Sequence, residues 1–228
     1  MKPQRFLIGD AVSYGWQTMT ANVWFFVLIF LIFFVASGIV SGPWNWAVRS
    51  NSAVLVILGV IFGLLNIVIS TFINMAQIRI GLDFCDQKPA DYNDLVSEYP
   101  RFWRFLGGMI LYGLIVFAGL ILLIIPGIYW GIRYHFVGYL ILDRDMGIMD
   151  ALKKSGQITR GAWWHLFVFA LAMMGISIIG FILCFVGSFF ALPIVIVATA
   201  YVYRSLLATE PAAQMTPPPM QQPAAPDA

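Results

Sequence analysis

The chain has 228 residues, of which 61% are apolar and 11% charged, and its formal net charge is +2. Soluble domains carry about 25% charged residues and about 45–50% apolar ones. A soluble chain of this size could not hide so much apolar area, because part of its surface has to be polar. The composition therefore predicts an integral membrane protein, and the small net charge argues against a nucleic-acid partner.

The N-terminal segment, residues 1–22, is polar or mixed in character and precedes the first long apolar run. We predict that it lies in the membrane interface on the cytoplasmic side. An aspartate followed by a tryptophan at a fixed spacing recurs along the chain: Asp10 with Trp24, Asp150 with Trp164, and more loosely Asp91 with Trp103. The pattern predicts three pseudo-repeated hairpins, each entered through an interfacial amphipathic helix.

Long uncharged apolar runs follow, and a bilayer core of roughly 30 Å needs about 20 apolar residues per helix. Continuous runs of this length lack the alternation of a membrane barrel, so we predict an all-α integral membrane fold. Six transmembrane spans are predicted, at residues 23–40, 53–78, 105–125, 127–142, 162–186 and 188–203. The fourth is short, because Arg133 and His135 interrupt its apolar sequence.

Lysine and arginine are distributed unevenly between the predicted loops. With the N-terminus inside, all basic residues lie on the cytoplasmic side except Arg49, on the opposite side, and Arg133, within a span. Cytoplasmic loops of membrane proteins carry an excess of basic residues. The distribution therefore predicts a multi-pass protein with both termini in the cytoplasm.

The spans form one predicted membrane domain, residues 23–207, and the composition changes after it. Residues 208–228 are rich in proline, alanine and glutamine and cannot bury enough apolar area to offset the entropy of ordering. We predict that this C-terminal tail is disordered.

One stretch carries a family signature, with these segments: Pro126-Gly127-Ile128, Ile132-Arg133-Tyr134, Leu140-Ile141-Leu142-Asp143, Ala151-Leu152-Lys153-Lys154-Ser155 and Thr159-Arg160-Gly161-Ala162-Trp163-Trp164. It resembles the YciC-like inner-membrane proteins of bacteria. It is also similar to the membrane domain that precedes some glycerophosphodiester phosphodiesterase domains. The resemblance implies a polytopic protein of the bacterial inner membrane, with an accessory role near phospholipid metabolism, and it supplies no active-site residues.

Arg133 is the sharpest candidate for a functional residue. An arginine inside the bilayer costs at least about 2.5–3.5 kcal/mol and is a functional hypothesis by default. Since the predicted spans contain no acidic residue, its partners would be carbonyl groups, the amides of Asn66 or Asn74, or an anionic lipid or solute. The alternative is that Arg133 extends its guanidinium to the nearer headgroups. His135 is a second candidate contact, and simple packing is its alternative.

The basic connectors are the other candidate site. Near a membrane surface each lysine or arginine contributes about 1 kcal/mol of attraction to anionic lipids. The residues predicted to contact anionic headgroups are Lys153, Lys154, Arg160, Arg101 and Arg104. The alternative is that these connectors merely anchor the helices.

Motifs for catalysis are missing from the sequence, which has no His-Glu-x-x-His, no Gly-x-Ser-x-Gly and no Walker loop. Neither its two cysteines nor its two histidines show metal-ligand spacing, so we predict no metal and no cofactor. We predict a non-enzymatic accessory or scaffold protein tied to envelope lipids, with membrane lipids as partners and protein partners possible at the cytoplasmic face. A small-solute or lipid transporter using Arg133 is the first alternative, and a membrane-embedded lipid enzyme is the second.

Overall fold

The computed structural model of the protein describes residues 7–32, 35, 38, 53–88, 99–182 and 184–209. Its helices within these ranges are α1 (Ile8–Ala21), α2 (Val23–Ile32), α3 (Ala53–Cys85), α4 (Phe102–Leu122), α5 (Ile124–Arg133), α6 (Val137–Arg144), α7 (Ile148–Ile158), α8 (Trp163–Ile182) and α9 (Cys184–Ala208). A 3₁₀ turn at Tyr99–Arg101 precedes α4. The described part of the chain contains no strand, which confirms the all-helical class.

Four helices are long and apolar enough to cross a bilayer: α3 from Gly59 onward, α4, α8, and α9 from Phe189 onward. Large apolar side chains project outward from the bundle, and Ile125 and Phe181 remain 79% and 80% exposed. Such extensive apolar exposure marks a surface that faces lipid rather than water. The structure thus supports the membrane class and provides four spans.

A fifth span is formed if α1 and α2 are counted together, although the two helices meet at an angle of 88°. Asn22 forms the turn between them, and Trp24 stands exposed at the start of α2. This bend agrees with the prediction that a short polar helix leads into the first span. Most of the second half of that predicted span, up to residue 40, lies outside the described residues, as does the tail from residue 210.

The predicted fourth span, residues 127–142, is not one helix. It is divided into α5 and α6 by a turn at residues 134–136, and neither piece is long enough to cross a bilayer. The prediction of a single helix here was therefore wrong, and the six-span count is not confirmed.

A hydrogen bond from another helix explains the break. In a continuous helix, the Val137 N–H would donate to the Arg133 carbonyl one turn earlier. Instead the Ser155 hydroxyl of α7 donates to that carbonyl at 2.9 Å, and the Thr159 hydroxyl lies 3.2 Å from it. The Val137 N–H turns to the Tyr134 carbonyl at 3.2 Å. Hydroxyl groups of α7 thus replace the backbone N–H donor that the next helical turn would have supplied.

Helix α6 lies in the centre of the bundle. All six residues from 137 to 142 are buried, and the helix packs against α3, α4 and α7. On a further side, the Tyr139 ring lies 5.2 Å from the Tyr203 ring of α9. This part of the predicted fourth span therefore forms the core of the bundle.

An ion-pair cluster joins the C-terminal ends of α3, α6 and α9. Arg204 donates to both oxygens of Asp143, at 2.9 and 2.8 Å, and to Asp86 at 2.7 Å. The Tyr203 hydroxyl also donates to Asp143, at 2.9 Å. Because a bidentate guanidinium–carboxylate pair fixes geometry as well as charge, the cluster locks three helix ends in one relative position.

Helix α1 crosses α9 in close contact, with Ala11, Gly15 and Met19 buried. The Tyr14 ring lies 5.2 Å from the Tyr201 ring, and the Tyr14 hydroxyl donates to the Phe84 carbonyl at 2.9 Å. This hydrogen bond connects α1 to the last turn of α3, where a following loop leaves that carbonyl without its usual helical donor.

We expect Tyr14→Phe to lower the free energy of unfolding by about 1 kcal/mol, because it removes one hydrogen bond while keeping the ring. Ser13→Ala is the matched control, since Ser13 is exposed on the same helix and should change stability very little. The measurement is denaturant unfolding of the purified protein in detergent. An equal loss in both variants would contradict the role given to the Tyr14 hydroxyl.

Candidate functional site

A polar cavity of about 290 Å³ opens between α5, α7 and α8. We refer to it as the Arg133 pocket. Its lining residues are Tyr129, Arg133, Gly156, Thr159, Arg160, Gly161 and Trp163. The pocket thus combines the residue singled out from the sequence with one of the predicted headgroup contacts, and its lining includes no acidic side chain.

The Arg133 side chain is held between aromatic rings. Its guanidinium carbon lies 5.8 Å from the ring centres of both Tyr129 and Tyr134, within the range of cation–π attraction. Its Nη1 donates to the Tyr129 hydroxyl at 3.2 Å. These contacts fix the position of the charge without neutralising it.

Helix α7 closes one wall of the pocket, and small residues permit its approach. A Cβ atom at Gly156 would lie 3.2 Å from Arg133 Nε, which is tighter than ordinary packing. Gly161 ends the connecting turn at a φ of +86°, a backbone conformation that glycine adopts without strain. This turn carries Thr159 and Arg160 past the end of α7 and brings Trp163 to the edge of the pocket.

Unpaired donors surround the cavity. Within the part of the chain that the structure describes, neither Arg133 nor Arg160 forms an ion pair. Arg133 Nε and the Trp163 indole nitrogen are buried and have no hydrogen-bond acceptor among the described residues. The pocket therefore concentrates positive charge and includes two buried N–H donors without an acceptor among the described residues.

The other side of α5 faces an apolar groove of about 390 Å³, bounded by α4, α5, α8 and α9. His135 lies here rather than in the Arg133 pocket, and its ring meets the Phe136 ring edge-on. Asn66 and Asn74 both lie on α3 and line neither cavity. Asn74 donates to the Ser70 carbonyl of its own helix at 2.7 Å. The structure thus separates Arg133 from the amides that the sequence offered as partners.

The predicted headgroup contacts divide into two groups. Arg101 and Arg104 both pair with Asp145, at 2.9 and 3.1 Å. Lys153 and Arg160 are exposed, whereas Lys154 is half-buried. The charge available for a ligand therefore lies on α7 and the turn after it, rather than at the start of α4.

The sequence analysis did not identify the uncharged lining of the pocket, which consists of Tyr129, Gly156, Thr159, Gly161 and Trp163. It also missed the ion-pair cluster of Asp86, Asp143 and Arg204. A signal was available for the cluster, because Asp143 and Arg204 each directly follow a long apolar run. Charges in such positions are candidates for pairing with one another at a shared end of the bundle.

The known proteins to which this chain is similar have no assigned function. Residues 107–210 match the model of a family described as a protein of unknown function, DUF975. An uncharacterised protein of Mycobacterium bovis and one of Mycobacterium tuberculosis strain H37Rv are each 25% identical to it, over 88% of this chain and 69% of the relative. No solved structure matches the chain. The family match includes α5, α7 and the turn between α7 and α8, so it covers the whole Arg133 pocket.

Proposed function

We propose that this protein is a non-enzymatic multi-pass protein of the bacterial inner membrane, an accessory or scaffold protein that holds anionic lipids at its cytoplasmic face. The observation that carries the proposal is the exposed surface of α7. Ala151, Ser155 and Ile158 anchor this helix to the bundle, while Met149 is 61% exposed and Lys153 points outward with it. The free side also carries the exposed Asp150 and Gln157. A helix with apolar, basic and other polar groups together on its free side suits the interface of a membrane that contains anionic lipids.

The placement of charges supports the proposed orientation. The ion pairs of Arg204 with Asp86 and Asp143, and of Arg101 with Asp145, gather the ends of α3, α4, α6 and α9 at one end of the bundle. The basic residues of the predicted cytoplasmic loops belong to these same segments. We therefore assign this end of the bundle, together with both termini, to the cytoplasm.

Equivalent packing of α1 and α7 supports the proposal of repeated hairpins. The spacing that relates Asp10 to Asp150 also relates Ala11 to Ala151 and Gly15 to Ser155, and these four packing residues are all buried. Each helix packs against a helix of a different predicted hairpin: α1 against α9, and α7 against α6. In this proposal α1 and α7 each clamp a neighbouring hairpin to their own.

We favour a scaffold over a transporter. A transport path using Arg133 was expected to include the polar residues of α3, yet Asn66 and Asn74 do not line its pocket. The resemblance of residues 126–164 to membrane domains found beside phosphodiesterases supports an accessory role in phospholipid metabolism.

The proposal predicts that the lipids surrounding the protein are enriched in anionic headgroups, and that Lys153→Gln reduces this enrichment. Loss of about 1 kcal/mol of surface attraction corresponds to about fivefold weaker retention of a headgroup at that position. The measurement is lipid mass spectrometry of particles extracted from the membrane with a polymer, compared with the bulk membrane.

Lys153→Arg is the matched control, because it keeps a positive charge at the same exposed position. It should leave the lipid composition unchanged. A lipid shell of wild-type protein with the same composition as the bulk membrane would overturn the proposed function.

A further inference from the structure

We infer that the Arg133 pocket binds the phosphate group of an anionic lipid. This inference rests on the proposed function and deepens it. The surface of α7 attracts anionic lipids in general, whereas the Arg133 pocket is one defined site for a single headgroup. Arg133 and Arg160 supply the charge, and Trp163 carries a buried indole N–H that has no acceptor among the described residues.

Charge selects the class of ligand. Two guanidinium groups border the cavity, its lining contains no carboxylate, and neither arginine pairs with an acid elsewhere among the described residues. Arginine is suited to phosphate, since its planar fork of donors matches the spacing of phosphate oxygens. A cationic or neutral ligand would leave this charge uncompensated.

Hydrogen-bond donors without acceptors also favour a phosphate ligand. A buried donor without an acceptor is costly, and Arg133 Nε and the Trp163 indole nitrogen are two such donors on neighbouring walls. Helix α8 begins at Trp163, so its positive dipole end also lies beside the pocket. The carbonyls at the end of α7 are already occupied, since Gln157 and Thr159 accept from the backbone N–H groups of Arg160 and Ala162.

Size and surroundings favour a lipid over a free ion. The pocket of about 290 Å³ has room for about ten water molecules, which is more than one phosphate needs and leaves space for part of a headgroup. The apolar groove shares α5 and α8 as walls, with Ile132 and Leu166 in its lining. A phosphate in the pocket would therefore place an acyl chain close to an apolar groove.

The test is native mass spectrometry of the full-length protein in mild detergent, titrated with dioleoylphosphatidylglycerol, dioleoylphosphatidylcholine or inorganic phosphate. We expect wild type to retain one phosphatidylglycerol in preference to phosphatidylcholine. Arg160→Gln should weaken that binding at least about tenfold, because it removes a hydrogen bond to a charged group. Trp163→Phe, which keeps an aromatic side chain but removes the indole N–H together with the five-membered ring, should also weaken it.

Two controls separate the pocket from the rest of the protein. Lys88→Gln removes a positive charge outside the pocket and should leave phosphatidylglycerol binding unchanged. Thermal unfolding of each variant identifies any that lose their fold, and Trp163→Phe provides a conservative variant if Arg160→Gln does not fold.

The outcomes are distinct. If Arg160→Gln and Trp163→Phe retain phosphatidylglycerol as wild type does, the pocket is not the site, although enrichment that depends on Lys153 would keep the proposed function. If inorganic phosphate binds and displaces the lipid completely, the ligand is a free phosphate and the lipid inference is overturned. If Arg160→Gln weakens lipid binding while Lys153→Gln leaves the lipid shell unchanged, lipid binding in the pocket is supported. The general attraction of lipids to the surface of α7 is then overturned.

Discussion

Replacing Arg204 with glutamine is expected to lower the free energy of unfolding by about 2 kcal/mol, because it removes hydrogen bonds to two carboxylates in a partly buried ion-pair cluster. Asp143 is the critical neighbour, since its side chain is 11% exposed and accepts two hydrogen bonds from Arg204. Without the guanidinium, the carboxylates of Asp143 and Asp86 would face each other across the ends of α6 and α3. The measurement is denaturant unfolding in detergent micelles.

Arg144→Gln is the matched control for this prediction. Arg144 lies 3.5 Å from the same Asp143 carboxylate, but its side chain is 44% exposed. Exposed pairs contribute about 0–1 kcal/mol, so the control should lose no more than that. Arg204→Lys should fall between the two, because lysine keeps the charge and lacks the planar fork. Equal losses for Arg204→Gln and Arg144→Gln would show that the cluster does not lock the helix ends.

The regular parts of the fold were predictable from hydropathy. Apolar runs long enough to cross a bilayer became α3, α4, α8 and α9, since burial in lipid requires that backbone groups pair within each helix. The polar helix before the first span was also predictable, because Asp10 and Trp24 mark a change from interfacial to apolar sequence. These signals are local, so one sequence is enough to detect them.

The break in the fourth span was not predictable in this way. It depends on hydroxyl groups of Ser155 and Thr159, which reach the Arg133 carbonyl from a helix later in the chain. No proline or glycine marks the turn at residues 134–136. A break caused by a distant competitor for a hydrogen bond leaves no pattern in the segment that breaks.

The candidate site was only partly predictable, because a local signal identifies Arg133 but not the residues that surround it. Placing an arginine in an apolar segment of the membrane costs free energy, so residue type alone identified Arg133 as a candidate. Its surroundings could not be identified in this way, because Gly156 and Trp163 look like ordinary helix-packing and interface residues until the fold brings them to Arg133. The pairing of Arg101 and Arg104 with Asp145 likewise depends on where Asp145 lies in space.

The second large effect is expected at Gly15, where α1 rests on α9. A Cβ atom at this position would lie 2.8 Å from the Ile194 carbonyl oxygen and 3.4 Å from its Cα, both of them backbone atoms. A side chain can rotate away from an intruding group, whereas the backbone of a packed helix cannot. Gly15→Val should therefore force α1 away from α9 and lower the free energy of unfolding by about 3 kcal/mol.

Gly9→Val separates this clash from the effect of valine on a helix. Gly9 lies on the same helix, is exposed, and has no atom within 4 Å of the position that a Cβ would take. Unfolding in detergent should show a loss for Gly15→Val and almost none for Gly9→Val. The Gly15 variant should also weaken the Tyr14 contact to α3, so that adding Tyr14→Phe to it costs less than Tyr14→Phe does in wild type. Full additivity of the two substitutions would mean that α1 stays on α9, and the clamp between hairpins would then have to be rejected.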